Sequence, residues 1–467
     1  MTLAPQDFQA EALLLAPQWT LIDEVPQAGL AVMIRGGRFE AVGPVEALHK
    51  QYPQLRLQSL PGRLLMPGLI DTHHHLTQGY GKALAFGEPS EIFRRIWVPL
   101  EQHLTEEDLY LSAKLTALEA LRGGFTTVCD AGTRSQAGLS AIESAVQEVG
   151  IRCVLAKICH DLGSSAQEVE ALMAQAQQHL ARYGADSGLH ASLGIAIPEA
   201  ASDAMLHRVA HLCREANVPF QVHINEHLAS VERSLVARGL RPLQVLRQAD
   251  ALGPELLAAH VTLVTPSELA QLRDAGAAVS YNPVASSWKG NAVAPALQMH
   301  TLGIRLGLGT DGTRGDAFRL MDAAETAQRL TVGMQVGDFS VGAGWTWLRM
   351  ASAGGADAAH LSAVTGRIAP GLAADCLLLD VDVPELAPSW DLGWELVRLA
   401  HSGLIEMVMV GGRLRLWKGW PLDWDAKALM QRARARAAEA VRAAPIQRIH
   451  PTSAQARQLT EVRPSPP

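Results

Sequence analysis

Cysteine, charge of one dominant sign and long apolar runs are all scarce in this chain. Its five cysteines (Cys129, Cys153, Cys159, Cys213 and Cys376) are odd in number and form no Cys-x-x-Cys pair. That argues against a disulfide framework and predicts reduced thiols in a cytoplasmic protein. A formal net charge of -7 over 467 residues gives no reason to expect nucleic acid or an anionic membrane as partner. No window reaches the roughly 18 apolar residues that a membrane helix requires. Met1 to Leu15 holds neither Lys nor Arg, so it is not read as a secretory signal.

What is present is a soluble globular composition, 48% hydrophobic and 19% charged, in a chain long enough for one large barrel plus an accessory domain. Eight apolar, β-branched-rich runs read as buried strands: 64–75, 126–131, 153–161, 190–197, 220–225, 256–261, 278–283 and 306–312. Segments of helical periodicity separate them, among them 106–122, 166–183, 202–216 and 266–275. Eight strand–helix units fit an α/β fold of the (β/α)8 TIM-barrel type over 61–361, with a doubly wound open sheet as the alternative. The polar residues at the C-terminal strand ends favour the barrel. Short strands at both ends of the chain, with Gly36-Gly37 and Gly411-Gly412 as hairpin turns, read as one small β-sandwich built from 1–60 and 362–420. Residues 421–445 read as an amphipathic helix, and the proline-containing tail 446–467 as unstructured.

The first barrel run ends Asp71-Thr72-His73-His74-His75. Strand alternation places Asp71, His73 and His75 on one face. The fifth run ends in His223, followed by Asn225 and Glu226; the sixth ends in His260 and the eighth in Asp311. Three imidazoles (His73, His75, His223) and one carboxylate (Asp311) at predicted strand ends form a shell suited to one Zn²⁺ or Fe²⁺, with a position left open for water. Gly307-x-Gly309-x-x-Gly312 matches a dinucleotide fingerprint only formally, since no βαβ unit of the required form begins there.

The motifs PGLIDTHHH (67–75), GFTTVCDAG (124–132), VHINEH (222–227), AAH (258–260), GLGTDG (307–312) and GRIAPGLAADCLLLD (366–380) resemble the amidohydrolase superfamily. The similarity is to its branch of guanine, 8-oxoguanine and cytosine deaminases and triazine hydrolases. The resemblance implies metal ligation by His73, His75, His223 and Asp311, acid/base catalysis by Glu226, and a supporting role for His260 with Asp311 at the attacking water. Two-metal members carry a carboxylated lysine on strand four; none stands there, so one metal is expected, and Lys157 on strand three is read as structural. Gln78 falls where the guanine-deaminase branch has a ring-binding glutamine. Trp288 is a candidate to stack on a flat ring, and Arg314 to pair with a carbonyl or carboxylate. The expected function is hydrolytic deamination of a small aminated heterocycle (purine, pterin, pyrimidine or triazine) by a cytoplasmic homodimer. The alternatives are cyclic amide hydrolysis, displacement of a halide or alkylamine, and a catalytically inactive scaffold.

Overall fold

The computed structural model describes residues 3–88, 91–184, 187–337, 342–451 and 453–461. Five strands open the chain: β1 (Ala12–Ile22), β2 (Val25–Ala28), β3 (Leu30–Arg35), β4 (Arg38–Pro44) and β5 (Leu57–Pro67). Eight more follow: β6 (Leu69–His74), β7 (Phe125–Asp130), β8 (Arg152–Ile158), β9 (Leu189–Ile195), β10 (Phe220–Ile224), β11 (Leu256–His260), β12 (Ala278–Tyr281) and β13 (Arg305–Leu308). These eight pair in parallel, each with the next, and close on themselves as a barrel. Burial on both faces explains their continuous apolar character: β6 and β7 are buried at every position, as crossover-linked parallel strands must be.

Helices cover the barrel where the periodicity places them. Glu106–Arg122 starts at a Thr105/Asp108 capping box, and Pro266–Ala275 at a Thr265/Glu268 box. Ser202 caps Asp203–Ala216 by accepting from the Met205 amide. Each cap satisfies amides the first helical turn leaves unpaired.

The remaining strands, β14 (Cys376–Asp380), β15 (Ile405–Val410) and β16 (Arg413–Trp417), join the first five in one mixed sheet. Its order is β16-β15-β14-β5-β1-β3-β4, with β2 on β1. Phe8, Leu13, Val32, Leu65, Leu378 and Met407 pack together on one side of this sheet. Arg152, at the start of β8, ties the barrel to the sheet through a buried ion pair with Asp375 (Nε–Oδ2 3.0 Å). Asp375 also accepts from the Gly411 amide in the β15–β16 turn (2.6 Å).

Three sequence expectations change. The run 64–75 is two strands, not one. Its first part completes β5, which carries the sheet past residue 60, and only β6 enters the barrel. The break falls at Gly68, where any Cβ would overlap the Thr126 side chain, so the chain crosses β7 at a distance only glycine allows. Where the sequence reads only short strands near the N-terminus, Ala12–Ile22 is one long strand, β1, with a bulge between Pro17 and Trp19 absorbing the proline. The tail is not unstructured where it is described: residues 447–450 bond to Glu88 and Arg95, and Ser453–Glu461 is helical. Residues 452 and 462–467 lie outside the described part.

Candidate active site at the C-terminal mouth of the barrel

His73 and His75 leave the end of β6 into the barrel mouth. The β6–β7 ladder shifts register between Asp71 and His74, so strict alternation fails there. Asp71 turns to accept from His74 Nδ1 (3.0 Å) and from the Thr310 amide (3.0 Å) rather than joining His73 and His75. Asp71 is thus a brace between β6 and the loop after β13.

Four side chains converge with the spacing of a coordination shell. His223 Nε2 lies 3.3 Å from His75 Nε2. Asp311 Oδ1 lies 3.3 Å from His75 Nε2 and 3.9 Å from His73 Nε2. Ligands about 2.0–2.2 Å from one ion in a tetrahedron are separated by about 3.3–3.6 Å, so the set fits one divalent ion. His73 Nε2 is buried with no hydrogen-bond partner, an orphan that a metal ligand explains. His223 Nδ1 donates to the Ala196 carbonyl (2.7 Å), which fixes the tautomer and leaves the Nε2 lone pair facing inward. Burial, reinforced by the neighbouring imidazoles His75 and His260, takes the His223 pKa down to about 3. His73 falls well below its usual value for the same reasons. Neutral imidazole is the ligating form. The possible metal-binding groups among the described residues all draw on His73, His75, His223, Glu226, His260 and Asp311, and so describe one centre.

His260 is set by a chain of hydrogen bonds from across the barrel. Thr72 Oγ1 meets Ser280 Oγ at 2.7 Å, Ser280 donates to Asn282 Oδ1 (2.8 Å), and Asn282 Nδ2 donates to His260 Nδ1 (3.2 Å). An amide nitrogen only donates, so Nδ1 accepts and Nε2 carries the proton. That Nε2 is buried without a partner, 3.9 Å from Glu226 Oε2 and 3.8 Å from Asp311 Oδ2. Asn225, His260 and Asp311 adopt φ values of 49°, 75° and 59°, a strain that recurs where side chains are aimed at a site.

The cavity above these groups also takes in Gln78, Trp288, Lys289 and Arg134. Gln78 is buried and sits against Gly312, where a Cβ would strike Gln78 Oε1. Trp288 stands edge-on to Phe86 with ring centroids 4.9 Å apart. Arg314 is a correction. It is exposed and lines a separate outer cleft with Glu119 and Arg122, because the turn at Asp311 carries the following residues outward. The cavity instead takes in Arg134, after β7, paired with the buried Glu101 (Nη1–Oε2 2.7 Å). Lys157 does not line the cavity.

Sequence reasoning missed Arg134, Glu101 and Lys289. Lys289 Nζ donates to Glu226 Oε1 (2.7 Å) and Asp311 Oδ2 (2.6 Å). Burial alone would raise the Glu226 carboxyl, but the Lys289 ammonium and His260 hold it well below the usual carboxylate range.

The fold is shared with solved structures. An adenosine deaminase from Xanthomonas campestris with bound zinc superposes with a TM-score of 0.83 at 23% identity, over 92% of this chain and 98% of that one. An atrazine chlorohydrolase from Arthrobacter aurescens complexed with zinc gives 0.79 at 20% identity, over 92% and 99%. In sequence, the 5-methylthioadenosine/S-adenosylhomocysteine deaminase of Syntrophobacter fumaroxidans is 28% identical over 407 residues, 86% of this chain and 92% of that protein. The 5'-deoxyadenosine deaminase of Methanothermobacter thermautotrophicus is 28% identical over 385 residues, 81% and 88%. The Amidohydrolase family model matches residues 64–415, a span from the end of β5 through the barrel and back into the sheet, and the chain belongs to that family.

Proposed function

We propose that this chain is a hydrolytic deaminase of an uncharged aminated purine nucleoside of the 5'-deoxyadenosine or 5-methylthioadenosine type, working with one zinc ion. The observation that carries the reading is the trio of Glu226, His260 and Asp311 at the edge of a four-ligand shell. An acid/base carboxylate and an orphaned N–H donor there face the same point. The names of the sequence relatives support the adenine-type ring.

An ion held by His73, His75, His223 and Asp311 would lower the pKa of bound water to about 7. Glu226 takes the proton of the attacking water on Oε2 and delivers it to the ring nitrogen beside the attacked carbon. His260 Nε2–H donates to the oxygen as negative charge grows on it, a contribution made mainly in the transition state. The carbon–nitrogen bond then breaks, a proton reaches the departing amine, and ammonia leaves behind a ring carbonyl. Gln78 offers a donor and an acceptor to the ring edge, and Trp288 a face for stacking.

The uncharged substrate follows from pairing. Lys82, Arg94, Arg134 and Arg233, all lining the cavity, are paired with Glu119, Glu91, Glu101 and again Glu91. The five cysteines are buried and free, which suits the cytoplasmic setting that belongs to this reading, as does a homodimer. No helix among the described residues is long and apolar enough to cross a membrane.

The test is ammonia release from 5-methylthioadenosine, 5'-deoxyadenosine and adenosine, set beside purine bases, pterins and triazines. Glu226→Gln should keep its metal and lose about two to four orders of magnitude in kcat. Release of halide or alkylamine without ammonia, or a fully active Glu226→Gln, would overturn the reading.

A further inference from the structure

Lys289 closes the short helix Pro283–Lys289, and its side chain is only 17% exposed. Its ammonium lies between two carboxylates that carry different duties. One oxygen of each is bonded to it: Glu226 Oε1 at 2.7 Å and Asp311 Oδ2 at 2.6 Å. The other oxygens are left to the site. Glu226 Oε2 faces His260 Nε2 at 3.9 Å, while Asp311 Oδ1 faces His75 and His73.

Two anions this close repel, and each carboxylate could turn about its own axis. A cation bonded to both removes the repulsion and fixes both planes. A buried ion pair adds little net stability, so its position in the reaction cavity needs another account. We propose that Lys289 is a positioning residue for the hydrolysis. Its ammonium occupies one oxygen of Glu226 and one of Asp311, so that Glu226 presents Oε2 alone to the reacting atoms. The inference rests on Glu226 as the acid/base group.

The experiment measures kcat, KM and zinc affinity, the last by competition with a chelator, for Lys289→Met, Glu226→Gln and the double variant. Lys289→Met keeps the length of the side chain and loses the charge. It should bind zinc at least as tightly as wild type, because a nearby positive charge is gone, and hold KM within about threefold. Its kcat should fall about tenfold to a hundredfold, a part of what an acid/base group supplies. In the Glu226→Gln background the same change should cost less than about threefold, because the residue it positions is already disabled. Lys289→Ala should recover turnover, saturably, with added methylammonium and not with tetramethylammonium, which has no N–H to donate.

Unchanged kcat in Lys289→Met beside an impaired Glu226→Gln would overturn this inference alone. So would weakened zinc binding, a rise confined to KM, additive losses in the double variant, or no rescue. A fully active Glu226→Gln would overturn both this inference and the acid/base assignment.

Discussion

Glu88 offers a local test of what holds the cavity wall in place. Beyond the helix Ala426–Ala443 the chain is laid across Glu88 and residues 91–97, several of which line the cavity. Ile446 packs on Ile92, Ile96 and Trp97, and the Gln447 amide donates to the Arg95 carbonyl (2.9 Å). Arg95 Nη1 also donates to the Gln447 carbonyl (3.0 Å), and further ties meet at Glu88, whose side chain is fully buried. Its carboxylate accepts from Arg95 (2.8 Å), Arg448 (3.1 Å), the Ile449 amide (3.1 Å) and the His450 amide (3.3 Å). Burial pushes this carboxyl up, but Arg95, the Ile449 amide, Arg448 and the His450 amide outweigh it and bring it down to about 2. Glu88→Gln keeps the shape and removes the charge. Three charge-assisted bonds come from the tail side, and replacing them with neutral or missing ones should weaken docking by about 2–4 kcal/mol. A tenfold change corresponds to about 1.4 kcal/mol, so the opened population should rise about 30- to 1,000-fold. Amide hydrogen exchange at Ile449 and His450, and trypsin cleavage after Arg448, read that population. KM should rise as the wall loosens, while metal content stays that of wild type. The pH dependence follows from the sign of the shift. A carboxyl held below its unfolded value contributes fully above that value, about 4.5, and loses its contribution as the pH falls toward about 2. Wild-type protection, corrected for intrinsic exchange, should therefore be flat between about pH 6 and 8. Equal exchange and cleavage rates in wild type and Glu88→Gln would refute the clamp.

His223→Ala should lose the metal, since it removes one of three nitrogens; full occupancy by elemental analysis would contradict the ligand set. Gly312→Ala should raise KM by about an order of magnitude with metal content unchanged, because the new Cβ displaces Gln78 Oε1; an unchanged KM would mean that Gln78 does not read the substrate. Arg314→Ala should change neither kcat nor KM by more than about twofold, because Arg314 lines the outer cleft; a selective loss of efficiency would place it back in the substrate's path.

The convergence of His73, His75, His223 and Asp311 was legible because barrel strand ends lie where a periodic pattern stops. His223 and His260 close short apolar runs on β10 and β11, and the amino-acid order alone marks such ends. The break at Gly68 was not legible, since the run from Leu64 to Ile70 stays apolar through it. Only the approach of Thr126 from the next strand reveals that two sheets share that run. Asp71 went wrong for a related reason. Alternation holds while a ladder keeps register, and the β6–β7 ladder slips between Asp71 and His74.

The cavity cations Arg134 and Lys289 were illegible for a different reason: their meaning lies in partners far away in sequence. Arg134 gains its position from Glu101, 33 residues earlier, and from the Phe93 ring, 4.3 Å beneath its guanidinium. Lys289 meets Glu226 across 63 residues and Asp311 across 22. Arg314 shows the converse. It stands three residues from a metal-ligand candidate, so proximity in sequence recommended it, yet Asp311 at φ 59° and the Gly312 amide bonded back to Asp311 Oδ1 (2.7 Å) turn the chain before Arg314 can enter. Within a strand, two residues of separation fix which way a side chain points; beyond a strand end, the first positive φ erases that rule. Candidate ligands can be read from where strands stop, whereas the charged residues around them can be read only from which loops meet above the barrel.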